Sequence, residues 1–589
     1  MYGSLESIYT GDDLRDAASW LLTGPSRCRS LEKARSSLLN RLGEIQAMFT
    51  DENDLRYSVV RDCARAFRGM LLPHSEEKAG FSVLQRLLAI QGNRPGSEAS
   101  PAFHAEFIHL FRGLEGRAET DMLTLEADTS ALSGREAAAG RSCDLDRIWE
   151  YVDSWMERWD DGLSDEAVGR RAVRRRHVLE ALGGSERDWH DWRWHTRNIA
   201  TSPETLSLLV PGIETGGVEA ALRNSVLFAV TPYYASLMEP GSGDRDRALR
   251  AQVVPSRRFV ESFASSRSST DMDFMRERDT SPVDLVTRRY PAIAILKPYN
   301  SCPQICVYCQ RNWEIEEAMS PAAMASDASL DEALRWIADH GAIREVLLTG
   351  GDPLAMDDDR LGRVLRGIAC IDHVDLVRIG TRTPVTMPMR FTPALLDILS
   401  DIRSPGRREV AVVTHIQHPY EITPETVRAV DAVRMRGIGV YNQLVYTYYI
   451  SRRFEAAKLR MLLRRSGIDP YYTFVPKGKL ETAEYRVPIA RILQEYQEEA
   501  RLLPGTRRTD TPVYNVPGLG KNYLLAYQNR DLVSVMPGGS RYYEFHPWEK
   551  NLARQRGYPG MDVPVLDYLS RLAADGEDIS DYSSIWYYY

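Results

Sequence analysis

Three cysteines crowded into eight residues are the strongest chemical signal in this sequence. Cys302, Cys306 and Cys309 lie in the segment CPQICVYCQR, directly after the apolar run AIAILKPYN. Seven cysteines in a chain of 589 residues do not form a disulfide framework, so the clustered three point to metal or redox chemistry. The other four lack metal-ligand spacing and are expected to be ordinary buried thiols: Cys28, Cys63, Cys143 and Cys370.

The spacing of these cysteines favours an iron–sulfur cluster over a zinc ion. A cubane cluster is held by cysteine thiolates, and three protein thiolates leave one iron open to bind a small molecule. A structural zinc site normally has four protein ligands, and the sequence shows no fourth ligand at a suitable spacing. Zinc and three unreactive buried cysteines stay open as alternatives.

A glycine pair and an acid follow about forty residues later. In VLLTGGDPL, Gly350 and Gly351 come at the end of a predicted strand, where glycines allow close backbone approach and expose N–H groups. Asp352 offers an anionic acceptor for an ammonium or hydroxyl group. Alone, such a turn is a weak signal, but after a cysteine cluster it indicates function.

Late in the chain, NVPGLGKNY places Lys521 on a loop rich in glycine and proline. A lysine in isolation is usually an ordinary surface residue. Lysine also forms Schiff bases with carbonyl cofactors, and pyridoxal phosphate stabilises carbanions and radicals next to it. Glycines around such a lysine would let a bulky cofactor approach the backbone.

The elements that must position these motifs are strands alternating with amphipathic segments from about residue 290. The strand-like runs are AIAILK, EVLLTGG, VDLVRIG, EVAVVTH, GVYNQLVY and YYTFV. This alternation predicts βα units with parallel pairing, in a barrel or an open α/β sheet. The cysteine and glycine motifs come just after strands, and chemistry in such folds gathers at the C-terminal strand ends.

The first 180 or so residues have apolar positions at helical spacing and predict helices joined by polar linkers. A net charge of -8 does not favour nucleic acid as a partner. The arginines at 170–176 are expected to form a solvated helical charge run that pairs with nearby acids, with a contact to an anion or nucleic acid as the alternative. No apolar run is long enough for a membrane span and no secretory signal is evident, so a cytoplasmic protein is expected.

The spacing CxxxCxxC, with Tyr308 before the last cysteine, resembles the radical S-adenosylmethionine superfamily. Further ordered matches from about Trp189 to beyond Lys521 resemble the lysine 2,3-aminomutase family, among them DWHDWRWHTRN, TPYYASLMEP, DTSPVDLVTRRYP, VRIGTRTPVTMP and THIQHPYEIT. The resemblance implies an α/β fold with a partial (β/α)6 barrel, and the helical N-terminal extension is a segment that compact members of the family lack. We therefore divide the chain into the extension, a helical segment packing on the barrel, the barrel with its cofactor sites, and a C-terminal segment: 1–180, 181–285, 286–525 and 526–589.

The resemblance also implies the cofactors and the reaction. The three cysteines would bind a [4Fe–4S] cluster whose open iron chelates S-adenosylmethionine, and Lys521 would hold pyridoxal phosphate, although the glycine run here is one residue shorter than in the family. A radical from S-adenosylmethionine would remove a β-hydrogen from a bound amino acid, and its nitrogen would move from Cα to Cβ. An electron donor such as flavodoxin or ferredoxin is expected, and a homo-oligomer is left open.

The resemblance also implies roles for further residues whose motifs match those of the family. Arg311 resembles the arginine that binds the substrate carboxylate. Arg289 and Tyr290 resemble residues of the pyridoxal site, with salt bridging and core packing as the alternative. His415 and His418 are either cofactor contacts or satisfied histidines at a strand end. The expected cofactor-binding positions besides the lysine and cysteines are therefore Arg289, Tyr290, Gly350, Gly351, Asp352, Gln443 and His415.

Two positions differ from the pattern of the lysine-acting members of the family, and these differences point to the substrate. Lysine-acting members recognise the distal ammonium with two aspartates, and the matching positions here are Lys477 and Asn515. A cation suits an acidic side chain, so the resemblance is closest to the glutamate 2,3-aminomutase branch and implies conversion of L-glutamate to β-glutamate. Three alternatives stay open. Lys477 could point to solvent, or the substrate could be another residue (lysine, arginine, or a carrier- or peptide-bound residue). The chain could also be a catalytically impaired binding protein.

Overall fold

The structure is a computed structural model that describes residues 5–50, 55–119, 132–241, 243–269, 271–476, 480–554 and 556–589. The chain groups into two compact units. The barrel unit comprises Met156–Arg486 and Ala500–Gly520, and the helix-rich unit comprises Met1–Trp155, Val487–Glu499 and Lys521–Tyr589. Among the described residues, every helix is too short or too polar to cross a membrane.

The helices of the described residues, in chain order, are α1 (Gly11–Leu22), α2 (Leu31–Met48), α3 (Leu55–Met70), α4 (Pro73–Ala79), α5 (Val83–Gln91), α6 (Pro101–Leu114), α7 (Gly134–Glu157), α8 (Asp165–Leu182), α9 (Glu186–Trp189), α10 (Trp192–Arg197), α11 (Pro203–Leu209), α12 (Gly216–Arg223), α13 (Pro232–Ala235), α14 (Arg247–Val253), α15 (Arg257–Ser269), α16 (Asp327–Ala338), α17 (Asp358–Ala369), α18 (Thr383–Thr386), α19 (Pro393–Asp401), α20 (Pro424–Arg434), α21 (Glu455–Arg465), α22 (Ile489–Gln494) and α23 (Val565–Ala574).

The strands are β1 (Val286–Tyr290), β2 (Ile293–Tyr299), β3 (Glu345–Gly350), β4 (Leu376–Gly380), β5 (Glu409–Thr414), β6 (Gly439–Val445), β7 (Asp469–Phe474), β8 (Thr511–Val516), β9 (Gly520–Tyr523), β10 (Arg530–Val535), β11 (Arg541–Phe545) and β12 (Tyr558–Met561). The predicted α/β fold with a helical N-terminal region is confirmed, because each of the six strand-like runs forms one of the strands β2 to β7.

The barrel unit is built on one almost closed sheet in which β1 to β8 follow each other in sequence order. β1 pairs with β2 antiparallel, and each later neighbour pair up to β7–β8 is parallel. Helices α16 to α21 connect β2 through β7. This arrangement places the ends of seven parallel strands along one edge, where the predicted motifs follow them.

Side chains on each strand alternate between the two faces of the sheet. On β3, Val346 and Leu348 are fully buried, whereas Leu347 and Thr349 line a cavity on the opposite face. Strand geometry requires this alternation, since successive side chains point to opposite faces. The apolar run EVLLTG therefore serves both the helix-covered core and the inner cavity.

The arginine run lies on α8, and its prediction is confirmed in part. Arg170 Nη2 lies 2.9 Å from Asp160 Oδ2, and Arg175 pairs with Glu186. The expectation of a wholly solvated run is wrong, since two members are buried and donate hydrogen bonds to main-chain carbonyls: Arg171 to Gly162 and Arg174 to Met238. These two arginines fix the helix to its own unit.

The helix-rich unit has its own core. Helix α6 is buried along almost its whole length, as its apolar sequence PAFHAEFIHLFRGL requires, and packs against α1 and α3. Tyr587 and Tyr589 of the C-terminal WYYY segment are part of the same core. Arg541 on β11 forms a buried ion pair with Glu106 of α6 at 3.0 Å and also donates to the carbonyl of Trp586 at 2.7 Å. The tail thus packs into the N-terminal helices.

Candidate active site at the C-terminal ends of the strands

A cavity of about 340 Å³ lies at the C-terminal ends of the barrel strands. All seven parallel strands contribute to its wall, together with the cysteine loop and the residues that follow β3, β4 and β5. We call it the strand-end cavity. Ten of the predicted site residues line it: Cys302, Cys306, Cys309, Arg311, Gly350, Gly351, Asp352, His415, Gln443 and Asn515.

The cysteine loop follows β2 and is held by the helical segment that precedes the barrel. Ile305 N donates a hydrogen bond to the carbonyl of Ala229 at 3.0 Å, and Val307 N donates to the carbonyl of Gln252 at 2.8 Å. A loop without regular structure needs such partners for its backbone groups. The segment around α13 and α14 therefore fixes the direction in which the cysteines point.

The three thiols are half-buried in the wall of the strand-end cavity. Burial, with the nearby charges of Asp352 and of the other two cysteines, raises the pKa of the Cys302 thiol well above its usual range. Such thiols need a compensating cation in order to ionise, and bound iron would supply it. The donor set fits an iron–sulfur cluster, because three sulfur ligands on one loop border a space for a further ligand.

The glycine pair at the end of β3 is required by close backbone packing. Gly350 has a φ of +117°, a conformation that L side chains rarely adopt. A Cβ on Gly351 would lie 2.0 Å from the carbonyl oxygen of Ser301. The same carbonyl accepts a hydrogen bond from Asp352 N at 3.0 Å. These glycines therefore let the loop after β3 lie directly against the residue that precedes Cys302.

The Asp352 carboxylate joins two neighbouring loops. It is 6% exposed and accepts hydrogen bonds from Thr381 Oγ1 at 2.7 Å and Thr383 Oγ1 at 3.1 Å. The main-chain N–H groups of Arg382 and Leu354 also donate to it, at 2.9 and 3.0 Å. Burial raises the pKa of this carboxyl, while its hydrogen bonds oppose the shift. Asp352 thus ties the loop after β3 to the loop after β4 while lining the cavity.

Arg311 is a buried arginine whose guanidinium group makes a hydrogen bond on one side only, within the described residues. It is 7% exposed, and Nη2 donates a hydrogen bond to Glu277. Among the described residues Nη1 has no hydrogen-bond partner, and its carboxylate neighbour Glu314 lies 3.9 Å away. A buried donor without a partner costs free energy unless a ligand accepts its hydrogen bond. The side chain is therefore arranged to bind an anion inside the strand-end cavity.

Arg289 contacts the glycine loop that leads to Lys521. Its Nη1 donates a hydrogen bond to the carbonyl of Gly518 at 2.9 Å. Gly518 and Gly520 have φ values of +65° and +77°, so both positions favour glycine. Lys521 is half-buried on β9 and is the first residue of the helix-rich unit after this loop. Tyr290, also half-buried, ends β1.

The two candidate histidines occupy different surroundings. Burial, and then the charge of Arg382, lowers the pKa of His415 to about 4, so its imidazole is neutral at pH 7 in the cavity wall. His418 caps the short turn Pro419–Glu421 and accepts a hydrogen bond from Tyr420 N at 3.1 Å. Of the two, His415 is placed to contact a ligand.

The remaining predicted positions lie on or after the last strands. Gln443 on β6 and Asn515 on β8 both line the strand-end cavity. Asn515 therefore faces the same space as Arg311. Lys477 lies outside the described residues.

Sequence reasoning missed a buried arginine beside the cysteines. Arg382 lies in the motif VRIGTRTPVTMP and donates a hydrogen bond from Nη1 to Cys306 Sγ at 2.9 Å. Its Nη2 pairs with Glu421 Oε1 at 2.8 Å. The only available signal was the position of this arginine at the end of a predicted strand, since its partners are 76 and 39 residues away along the chain.

Comparisons with known proteins agree with this site. The Radical SAM superfamily model matches residues 296–491, from within β2 to within α22. An uncharacterized KamA family protein of Methanocaldococcus jannaschii is 38% identical over 95% of this chain and 94% of its own length. That match includes most of the N-terminal helices as well as the barrel.

Two enzymes with assigned reactions match a smaller share of the chain. Glutamate 2,3-aminomutase of Clostridioides difficile is 32% identical over 67% of this chain and 89% of its own length. L-lysine 2,3-aminomutase of Clostridium subterminale is 32% identical over 52% of this chain and 71% of its own length. With a barrel, a three-cysteine loop after β2 and relatives of this extent, the chain belongs to the lysine 2,3-aminomutase (KamA) family of radical S-adenosylmethionine enzymes.

Proposed function

We propose that the chain is an isomerase that moves the amino group of an amino acid from Cα to Cβ, using a [4Fe–4S] cluster, S-adenosylmethionine and pyridoxal phosphate. The observation that carries this is a single cavity lined by three cysteines and by a buried arginine whose Nη1 has no hydrogen-bond partner among the described residues. When bound, the cluster and S-adenosylmethionine supply one-electron chemistry, and pyridoxal phosphate delocalises an unpaired electron. The protein supplies binding, orientation and exclusion of water.

Each group of residues has a separate task. The cysteine loop would hold the cluster as three thiolates, and the backbone of Gly350 and Gly351 lines the same cavity. Lys521 holds pyridoxal phosphate through its side-chain amine. Arg289 keeps the preceding glycine loop in place through its bond to the Gly518 carbonyl.

Arg311 binds the substrate carboxylate. Its guanidinium is fixed on one side by Glu277, its Nη1 has no hydrogen-bond partner among the described residues, and the residue lines the cavity. A charge-assisted hydrogen bond in this buried setting would orient the amino acid and give Nη1 the hydrogen-bond acceptor that it lacks among the described residues. We place the amino acid between Arg311 and Asn515, which line the same cavity.

Within this reaction class we propose L-glutamate as the substrate and β-glutamate as the product. Asn515 is an uncharged residue facing the cavity and would not repel an acidic side chain. Lysine-acting members are expected to have an aspartate at the position of Lys477, and a lysine there would attract an acidic substrate side chain. The match to a glutamate 2,3-aminomutase over 89% of that protein supports this choice. Reducing equivalents would come from a low-potential one-electron donor such as a flavodoxin or ferredoxin.

The test is a substrate panel with the full chain. The protein is purified anaerobically, loaded with iron, sulfide and pyridoxal phosphate, and supplied with S-adenosylmethionine, a reductant and one 13C-labelled amino acid at a time. NMR then reports conversion of the α- to the β-amino acid. We expect glutamate to react, Lys521→Ala to abolish the reaction, and the exposed Lys33→Ala, a control from the same unit, to leave it unchanged.

Different failures have different meanings. Conversion of lysine or arginine but not glutamate would contradict the substrate and leave the reaction class standing. An intact cluster with no conversion of any free amino acid would contradict the proposal for free substrates and favour a carrier- or peptide-bound residue. A chain that binds neither iron nor pyridoxal phosphate would contradict the proposed function as a whole.

A further inference from the structure

Arg382 places a permanent positive charge against one of the three cysteines. It is 8% exposed, lies in the loop after β4, and donates a hydrogen bond from Nη1 to Cys306 Sγ at 2.9 Å. A guanidinium keeps its charge at every accessible pH, so the sulfur always faces a cation. Arg311 N also donates to Cys309 Sγ, at 3.4 Å, but it is a neutral main-chain group.

The position of Arg382 is fixed from several sides. Its Nε donates to the carbonyl of His415 at 3.2 Å, and its main-chain N–H donates to Asp352 at 2.9 Å. Nη2 donates to Glu421 Oε1 at 2.8 Å and also to Gln252 Oε1. A guanidinium held at three nitrogens keeps one orientation, with Nη1 directed at the sulfur.

Glu421 is the counter-charge and accepts from Arg382 Nη2, whereas Cys306 is contacted by Nη1. It is fully buried, and it accepts hydrogen bonds from Tyr234 OH at 2.7 Å and from Gln417 N at 2.6 Å. The two side chains form a buried dipole whose positive end faces the cysteine ligand. Such a pair needs partners for both charges to be tolerated in the interior, and this structure supplies them.

We propose that Arg382 is a positioning residue that raises the reduction potential of the cluster through Cys306, and that Glu421 limits this rise. The proposal rests on the proposed function, since it requires a cluster on the cysteine loop. In the reduction step one electron passes from a low-potential donor to the cluster, with no bond made or broken. The cluster becomes more negative by one charge, and the hydrogen bond and charge of Arg382 stabilise that state.

The experiment measures the cluster alone, without S-adenosylmethionine or amino acid. The full chain and its variants are reconstituted with iron and sulfide, and the reduced fraction is followed by electron paramagnetic resonance in a redox titration. For Arg382→Met we expect the ratio of reduced to oxidised cluster at a fixed potential to fall by about tenfold, or 59 mV for one electron, as the loss of a hydrogen bond between charged groups implies. For Arg382→Lys, which keeps the charge, the ratio of reduced to oxidised cluster should fall less.

Two further variants separate this effect from general damage. Glu421→Gln leaves Arg382 uncompensated and should shift the ratio in the opposite direction, towards the reduced cluster. Arg460→Met is the matched control, because it breaks another buried ion pair of the barrel unit, with Asp510 at 2.9 Å, and should leave the ratio unchanged.

Equal potentials for the wild type and Arg382→Met, or shifts of the same sign for Arg382→Met and Glu421→Gln, would overturn the proposal. A wild-type chain that assembles no cluster would overturn it together with the proposed function. A cluster with the expected shifts but no amino acid conversion would contradict only the proposed function.

Discussion

Replacing Gly351 by alanine tests whether close backbone packing holds the cysteine loop. An added Cβ would lie 2.0 Å from the Ser301 carbonyl oxygen and 2.4 Å from its nitrogen. Both atoms are backbone, so no side-chain rotation relieves the overlap, and contacts below 3.0 Å essentially do not occur. Ser301 must therefore move by about 1 Å, and it is directly followed by Cys302. Overpacking of this kind costs about 1–3 kcal/mol.

We expect Gly351→Ala to give a folded but destabilised protein whose site is poorly assembled. We expect a lower thermal midpoint, reduced iron content after reconstitution, and a loss in kcat/KM of about 100-fold, the size of effect that a 1 Å displacement can cause in an active site. Iron is measured colorimetrically, and conversion by NMR. The matched control is Gly341→Ala, at a glycine in the same unit whose added Cβ would have open space.

The reasoning would be refuted by a Gly351→Ala protein with the iron content and activity of the wild type. It would also be refuted if Gly341→Ala caused the same losses, since the effect would then reflect alanine at any glycine.

Three further perturbations have defined expectations. Arg311→Gln removes the charge facing the cavity and should lower kcat/KM for the amino acid by about 10- to 100-fold, with unchanged iron content, measured by conversion kinetics. Burial lowers the pKa of His195 to about 4, so the folded state favours the neutral imidazole. The free energy of unfolding should therefore decrease by up to about 3 kcal/mol as the pH falls from about 6.5 to 4. Denaturant titrations should show a weaker pH dependence for His195→Gln. Arg541→Met leaves Glu106 buried without its cation and should destabilise the chain by about 3–5 kcal/mol, whereas the double variant with Glu106→Leu should recover part of the loss in thermal unfolding.

The barrel could be predicted because its signals are local. Runs such as EVLLTG and EVAVVT combine apolar and β-branched residues over five or six positions, and each became a strand of the expected sheet. The cysteine spacing is equally local, since all three residues lie on one loop after β2. The motifs placed after strands, together with the positions carried over from the family resemblance, account for the ten predicted residues that line one cavity.

Contacts between distant parts of the chain could not be predicted in this way. Nothing in the local pattern of RYYEF shows that Arg541 pairs with Glu106, 435 residues earlier. The network around Arg382 likewise unites residues from segments far apart along the chain, including Gln252 and Glu421. Asp352 shows the same limit, because its sequence suggested an open acceptor and its four protein donors came into view only in the fold.

The most direct test of the central claim follows the migrating nitrogen. L-glutamate labelled with 15N and with 13C at C2 and C3 is mixed with unlabelled glutamate and incubated with the fully reconstituted, reduced enzyme. An intramolecular 2,3-shift predicts β-glutamate in which 15N is bonded to 13C at C3, detected by the one-bond coupling between them, with no transfer of 15N to unlabelled carbon. Glutamate that stays unchanged beside a reducible cluster, or product whose nitrogen has exchanged between molecules, would contradict the proposed function.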